Sequence, residues 1–563
     1  MRATPRRPTH RSVSLCSVVS PFAVTSARNS RPDLAACPSG SCGCTCSGAV
    51  VVLPLIVFTS GLCVMAVEMA GLRLLAPYFG TSLIVTTILI GSLMGFLSLG
   101  YWLGGRWGDK HPTVKALSSV TTVAAGFILL IPFISQPILR SASAVIRTLV
   151  QGNTLDSPTV AFATLGGGIV GVLALMAIPI TLMGTVSPWA IRLAVDDIES
   201  SGRAAGRLYA LSTFGSIIGS FLPAIVLIPA LGVQRTYIAI GMLFLAVSAI
   251  GLFSGVKRLA PPAGAAMLLL LPPGTVRPMD GLVFESESLY HFIQVVQEPY
   301  GKCKDAYHLY LNEGVGVHSV KCPSETLETR GVWTYMAATP LWLDDPDQMQ
   351  DALIIGLAGG TIARQMLESF PEAHVDGVEI DGAVVEVGEK YFDDADERIT
   401  PIVMDGRIFL QLTDKKYDLV MMDAYRQPYI PFHLVTVEFF EQVKAHMNED
   451  AVLAVNVASV RGVSRTLAAM IYRTMKEVFP TVTLVDATNS NDVIIATTRE
   501  KDHRIGATHI ERYGDARGLG TIKKRLPKRI LGPVEGWETA RLLTDDQAPV
   551  EQAWDLMALD YAN

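Results

Sequence analysis

The chain has 563 residues, a formal net charge of −6, and 50% hydrophobic against 17% charged residues, with a mean hydropathy of +0.36. It is longer than one ordinary domain and too apolar for a wholly soluble protein. The acidic balance, with no basic patch, argues against a nucleic-acid partner.

Residues 1–48 are rich in Ser, Arg and Pro and poor in apolar periodicity, so a disordered tail is expected there. Cys42, Cys44 and Cys46 are spaced by single residues, which fits neither a zinc knuckle nor a disulfide framework. Cys16, Cys37, Cys63, Cys303 and Cys322 form no ligand cluster, so no metal site and free thiols are expected.

Apolar runs of membrane-crossing length then follow at about 50–72, 83–105, 116–138, 160–190, 208–232 and 235–255. They define a transmembrane domain of about six helices over 49–258. Basic residues orient it: the tail arginines, then Arg106, Lys110 and Lys115, then Arg192, Arg203 and Arg207, then Lys257 and Arg258 read as cytoplasmic, with Arg140 and Arg147 against the trend. Ala263 to Leu271 is short for a seventh span, so 259–280 reads as a linker or interfacial segment. Six crossings then leave everything after it in the cytoplasm, attached to an inner membrane. Glu68, ionisable within the first span, must face a polar interior, either paired with Arg73 or in a transport role.

Residues 281–321 alternate apolar and polar positions, which predicts a small antiparallel sheet within a 281–340 subdomain. From 341 to 500 short apolar strands alternate with helices: Ala352 to Gly356, Val375 to Ile380, Ile402 to Met404, Leu419 to Asp423, Val452 to Val457, Val482 to Val485 and Asp492 to Ala496. This predicts a Rossmann-like α/β domain whose two late strands form a hairpin, followed by a 501–563 extension. A strand entering Gly356-Leu357-Ala358-Gly359-Gly360, with Glu379 ending the next strand, is how such a fold holds an adenosine-bearing molecule. The spacing does not fit Gly-x-Gly-x-x-Gly, which disfavours a nicotinamide dehydrogenase.

These residues resemble the spermidine synthase family of polyamine aminopropyltransferases, from Glu285 to about Thr498. The whole chain resembles bacterial fusions of such a domain to a half-sized, transporter-like bundle. The membrane landmarks are Glu68-Met69-Ala70, Arg73 to Gly80, Gly104 to Asp109 (similar to a basic loop of major-facilitator transporters) and Gly206 to Ser216. The resemblance implies an S-adenosylmethionine methyltransferase-like fold. It also implies cofactor-binding roles for Tyr290, Gly356, Gly359, Gly360, Glu379, Asp405 and Gly406, with Asp423 as the catalytic acid-base group. The expected co-substrate is decarboxylated S-adenosylmethionine or S-adenosylmethionine, with no metal. The expected partners are a small amine or other small acceptor and the lipid bilayer, with a homodimer left open.

Aminopropyl transfer needs an unprotonated amine, and amines with a pKa near 10 are mostly protonated at neutral pH, so a carboxylate at the attack site has a clear task. The chain departs from the family pattern at three acids: Gly359 stands in the glycine-rich turn, Trp333-Thr334-Tyr335 in the Tyr-x-Glu element, and Arg426 in the catalytic loop. His291 replaces a glutamine after Tyr290. The loss weakens attraction for polycations and admits the intact, carboxylate-bearing cofactor, to be tested by Gly359→Asp. A methyltransferase, or a transporter with a nucleoside- or polyamine-sensing domain, are the alternatives.

Overall fold

The computed structural model describes residues 46–563 apart from short segments at 80–82, 152–156, 196–197, 254, 271–273, 313–315, 324–330, 393–395, 427–428, 460–464, 555–556 and 558–563. The expectations for residues 1–45, including Cys16, Cys37, Cys42 and Cys44, lie outside the described residues. Gly48–Asn563 forms one compact unit.

Among the described residues, five helical stretches are long and apolar enough to cross a membrane: Val51–Tyr78, Val85–Lys110, Val114–Ala142, Val170–Ala194 and the 52-residue Ser201–Leu252. They fall in α1 (Cys46–Phe79), α2 (Leu83–Lys110), α3 (Val114–Gln151), α4 (Ser157–Gly184) with its continuation α5 (Val186–Ala194), α6 (Ile198–Leu222) and α7 (Ile228–Leu252). The fifth stretch doubles back at Gly232, whose φ of 76° is outside the helical region.

Contacts fix the direction of each limb. Ser216 Oγ donates to Gly61 O at 3.2 Å and a Cβ on Gly219 would touch Leu62, so α6 runs with α1. Tyr237 OH donates to Val67 O at 3.4 Å and Cys63 Sγ to Ile240 O at 3.9 Å, so residues 233–252 run against α1. The same limb runs against α3, through Gly241 beside Leu129 and Ser248 bonded to Thr121 at 2.7 Å. Gly100 and Gly104 of α2 lie on Thr181 and Thr185, so α2 runs with the α4–α5 limb. The absence of a Cβ at these glycines is what lets the backbones approach so closely.

One end of the bundle therefore holds the 110–114 turn, Arg192 paired with Asp109 at 3.2 Å, and Gly251 against Ser118 and Val52. The other end holds Tyr78, Gln136, Arg140 and Gly232. From Leu252 the chain passes through a short 3-10 turn, α8 (Ala260–Ala266) and Met267–Leu270, with Ala265 buried in the same apolar cluster as Leu74, Leu139 and Val233. It re-emerges at the other end, where Thr275 O accepts from Gln136 Nε2 at 3.0 Å and Val276 O from Tyr78 OH at 2.7 Å. The 259–280 segment, expected as a linker or short interfacial segment, thus leads from the end of the bundle that holds Ser118 to the end that holds Gln136.

A four-stranded antiparallel sheet follows: β1 (Leu282–Glu287), β2 (Phe292–Tyr300), β3 (Cys303–Leu311) and β4 (Val317–Lys321). Cys303 and Cys322 are joined by a disulfide, with Cα atoms 6.1 Å apart, which corrects the expectation of free thiols. Single-residue spacing arguments fail here because hairpin pairing brings the two together across 19 residues.

The larger sheet contains β5 (Asp351–Ile355), β6 (His374–Glu379), β7 (Ile399–Val403), β8 (Tyr417–Met422), β9 (Met447–Ala458), β10 (Thr481–Val485), β11 (Asn491–Thr497) and β12 (Ile530–Gly532), in the order 12-10-11-9-8-5-6-7. Strands β5 to β9 are parallel and β10 to β12 antiparallel, so the sheet ends in the expected hairpin plus one strand from the C-terminal extension. Leu353, Ile354, Val420 and Met421 are fully buried, as continuous apolar runs are when helices cover both faces. Those helices include α9 (Val332–Ala337), α10 (Thr361–Ser369), α11 (Gly382–Phe392), α12 (Gly406–Leu412), α13 (Val437–Ala445), α14 (Thr466–Val478) and α15 (Ile505–Tyr513).

Candidate active site

The carboxyl ends of β8, β5, β6 and β7, four adjacent parallel strands, open into a cavity of about 440 Å³, within the range of small-molecule sites. Each strand end delivers one expected residue to its wall: Asp423, Gly356, Glu379 and Asp405. A parallel sheet does this because every strand leaves on the same edge.

Gly356 has φ 93°, and a Cβ there would lie 2.6 Å from Asp423 O and 2.7 Å from Ala424 N. It is therefore required both by backbone conformation and by the closeness of the next strand. Gly360, φ 71°, opens α10. Gly359 and Gly360 do not line the cavity. Gly359 donates its N–H to Ser319 Oγ at 2.8 Å, and a Cβ there would meet Ser319 Cβ at 2.9 Å and Phe392 Cγ at 3.0 Å. Gly359→Asp thus tests packing rather than cofactor charge.

Glu379 is buried, with Oε2 accepting from Ala358 N at 3.0 Å and Oε1 from Asp381 N at 3.2 Å. Burial raises its pKa against the pull of His291 and these two N–H groups. The two bonds hold the carboxylate plane still while each oxygen keeps a lone pair for a ligand. Asp405 caps α12, accepting from Arg407 N at 2.9 Å and Ile408 N at 3.1 Å, and its other oxygen lies 3.1 Å from His433 Nε2. Gly406 is pressed on β5, where a Cβ would fall 2.4 Å from Ile355 Cγ2.

Asp423 is partly open to the cavity. Its Oδ1 accepts from Asn456 Nδ2 at 2.6 Å, and Asn456 Oδ1 in turn accepts from Asn491 Nδ2 at 3.0 Å. Burial pushes the Asp423 carboxyl up to about 7, opposed by the Asn456 bond. Tyr425 is tied to β9, donating to Asn456 O and accepting from Ala458 N, both at 2.9 Å, so it fixes the loop after Asp423.

The cavity rim is held by a network of its own, and one wall residue, His318, had no sequence signal. Asp381 binds His291 Nδ1 at 2.9 Å and Ser288 Oγ, and Ser288 Oγ accepts from Tyr290 N at 3.0 Å and His291 N at 2.9 Å, so this cluster positions Tyr290 on the cavity rim. His318 lines the cavity with neither ring nitrogen hydrogen-bonded; burial, then the neighbouring His291, push it down to about 3, so it is neutral. Arg73, from α1, also reaches the wall and donates to Leu289 O and to Tyr290 O, the latter at 3.2 Å. It therefore braces the Tyr290 loop rather than pairing with Glu68. Arg426 lines the cavity, whereas Trp333, Thr334 and Tyr335 are buried in α9 away from it. Phe439 and Phe440 are core residues, and Thr436 caps α13 through Phe439 N at 3.3 Å.

Residues 334–496 match the family model of the spermine/spermidine synthase domain. Over 322 residues the chain is 30% identical to a probable polyamine aminopropyl transferase of Bifidobacterium longum (strain NCC 2705), covering 52% of this chain and 68% of the relative. It is 30% identical over 200 residues to a polyamine aminopropyltransferase of Vibrio vulnificus (strain CMCP6), covering 35% of this chain and 65% of that one. A crystal structure of a probable spermidine synthase from Corynebacterium glutamicum ATCC 13032 is similar at TM-score 0.39 and 18% identity, covering 48% of this chain and 99% of that one. With the strand-end cavity and the matched sequence together, the chain belongs to the spermine/spermidine synthase family and is a transferase.

Proposed function

We propose that this chain moves an aminopropyl group from decarboxylated S-adenosylmethionine to a small amine, in a domain carried by a membrane-spanning bundle. The observation that supports it most is the Asp423 carboxyl: at the cavity wall, tied to Asn456, and pushed up to about 7. A base with that pKa can take a proton from an incoming ammonium at neutral pH and is matched to the working range. The amine nitrogen then attacks the methylene beside the sulfonium; the new C–N bond forms as the C–S bond breaks, and the electron pair leaves on sulfur as a neutral thioether. The proton given up by the incoming ammonium rests on Asp423, and the product forms as a secondary ammonium that carries the positive charge formerly on sulfur.

The other wall residues suit the nucleoside. Glu379, with one free lone pair on each oxygen, is suited to two ribose hydroxyls, and Asp405 with Gly406 to the base edge. Neutral His318 adds no positive charge beside a sulfonium. Large apolar side chains facing outward on the bundle, among them Met94, Trp102, Val123, Phe133, Phe214 and Phe221, suit a lipid surface rather than water.

The test is product analysis by mass spectrometry on the purified full chain, with each form of the co-substrate and a series of amines. Aminopropylated amine should form with the decarboxylated form and be lost in Asp423→Asn. Methylated product from the intact form alone would replace this reading with methyl transfer, and no product with either form would favour a sensing domain.

A further inference from the structure

We propose that the transferase domain lies on the extracytoplasmic side of the membrane, so that it acts on acceptors in that space. Basic residues concentrate at one end of the bundle, eight against Arg73, Arg140 and Arg235 at the other. Arg106, Lys110, Lys115, Arg192, Arg203, Arg207, Lys257 and Arg258 all belong to the basic end, flanking the 110–114 turn, the α5–α6 connection and the end of α7. Such a concentration of Lys and Arg in short connections marks the cytoplasmic face.

The domain is fastened to the opposite end. Val233 N donates to Glu287 Oε2 at 2.7 Å, just past the Gly232 reversal, and Arg140 reaches Pro278 O at 3.5 Å. Tyr78, Gln136 and Arg73 bind residues 275–276 and 289–290 at the same end. The distance that the chain covers after α7 is readable on α3. Gly251 touches Ser118 and Thr275 binds Gln136, and 18 helical residues (136 − 118) rise about 27 Å, close to the hydrocarbon thickness of a bilayer. Residues 259–270 contain no charged side chain, and Ala265 is packed in the bundle core. They make a seventh crossing, and an odd number of crossings from a cytoplasmic start ends outside.

An independent feature agrees. The Cys303–Cys322 disulfide joins β3 to the residue after β4, inside the domain and remote from the cavity chemistry. Structural disulfides of this kind form and persist in extracytoplasmic, oxidising compartments and are rare in the cytosol.

The proposal concerns the side of the membrane and holds whichever group is transferred. Its test uses the full chain in spheroplasts, with the tail cysteines Cys16, Cys37, Cys42, Cys44 and Cys46 changed to serine and a single exposed reporter added. Glu500→Cys, in the domain, should react with a membrane-impermeant maleimide before permeabilisation. His111→Cys, at the basic end, should react only after it. Cys303 and Cys322 should alkylate only after reduction. As a check independent of any substitution, trypsin added to spheroplasts carrying the wild-type chain should remove the domain. Protection of both Glu500→Cys and the domain until permeabilisation overturns the proposal, as does labelling of both reporters on the same side.

Discussion

Asp423 is a base only when ionised, and its carboxyl stands near 7 because burial penalises the charge more than Asn456 stabilises it. The acidic limb of kcat/KM is therefore expected to break near pH 7 and to fall about tenfold per pH unit below it. Asp423→Asn keeps the hydrogen-bonding shape while removing the base. Turnover should drop on the order of a hundredfold while nucleoside binding, measured by calorimetry, stays within a few-fold. An acidic limb that persists unchanged in the Asn variant would remove Asp423 from the proton path. At His318 the expected effect is on binding: a neutral ring with both nitrogens unpartnered leaves room for a cation nearby. His318→Lys should raise the KM for the sulfonium substrate by about tenfold or more through repulsion in a shielded pocket, while His318→Gln stays near wild type. Equal KM values for the two variants would take His318 off the nucleoside.

At the scale of elements, the site depends on how closely β5 and β8 end beside each other. Gly356 sits in that gap at positive φ, with Asp423 O and Ala424 N where a side chain would go. Gly356→Ala should cost about 1–3 kcal/mol of stability and lower kcat as well, because the relief available is to push the Asp423 backbone outward. Thermal unfolding and steady-state kinetics on the same preparation check this, and a stable variant with wild-type kcat would show that the strand ends do not set the catalytic geometry. The loop before β2 depends instead on side chains: Ser288, Asp381 and His291 form a closed network under Tyr290, with Arg73 holding the outer carbonyls.

At the scale of the whole molecule, one carboxyl joins the bundle to the domain. Glu287 accepts the Val233 N–H, and burial pushes it up to about 7 from an ordinary value of 4.5, with the N–H and Arg73 opposing. The sign follows directly. Below about pH 4.5 the group is protonated folded or unfolded and costs nothing; as pH rises from there to about 7 the unfolded chain ionises first, so stability is lost, and above 7 the loss is constant. Glu287→Gln should remove this part of the pH dependence and raise stability at pH 8 by about 1–3 kcal/mol. Thermal unfolding of the detergent-solubilised full chain at pH 5 and pH 8 measures it. A Gln variant that keeps the wild-type difference between those two pH values would locate the effect elsewhere.

The sequence by itself determined what repeats locally. Continuous apolar runs placed β5 to β11 to within about five residues, alternation over 281–321 marked the smaller sheet, and run lengths marked the apolar helices of the bundle, because burial on one or both faces writes itself directly into residue order; β12 left no such signal. Gly356 and Glu379 were singled out by the glycine-rich turn and the acid ending the next strand, and Asp405 and Asp423 by the family resemblance; the parallel sheet then brings all four to one edge. What joins distant segments was decided only in three dimensions. Hairpin pairing brought Cys303 to Cys322, and helix packing sent Arg73 to the Tyr290 loop. Gly359 was turned into the core by Ser319 and Phe392, and the short apolar segment after α7 runs from one end of the bundle to the other, with Ala265 in the bundle's apolar cluster. Its 12 residues, counted from Leu259 to Leu270, are fewer than an isolated spanning helix needs, so its path along the bundle is visible only where the helices that pack against it are in place.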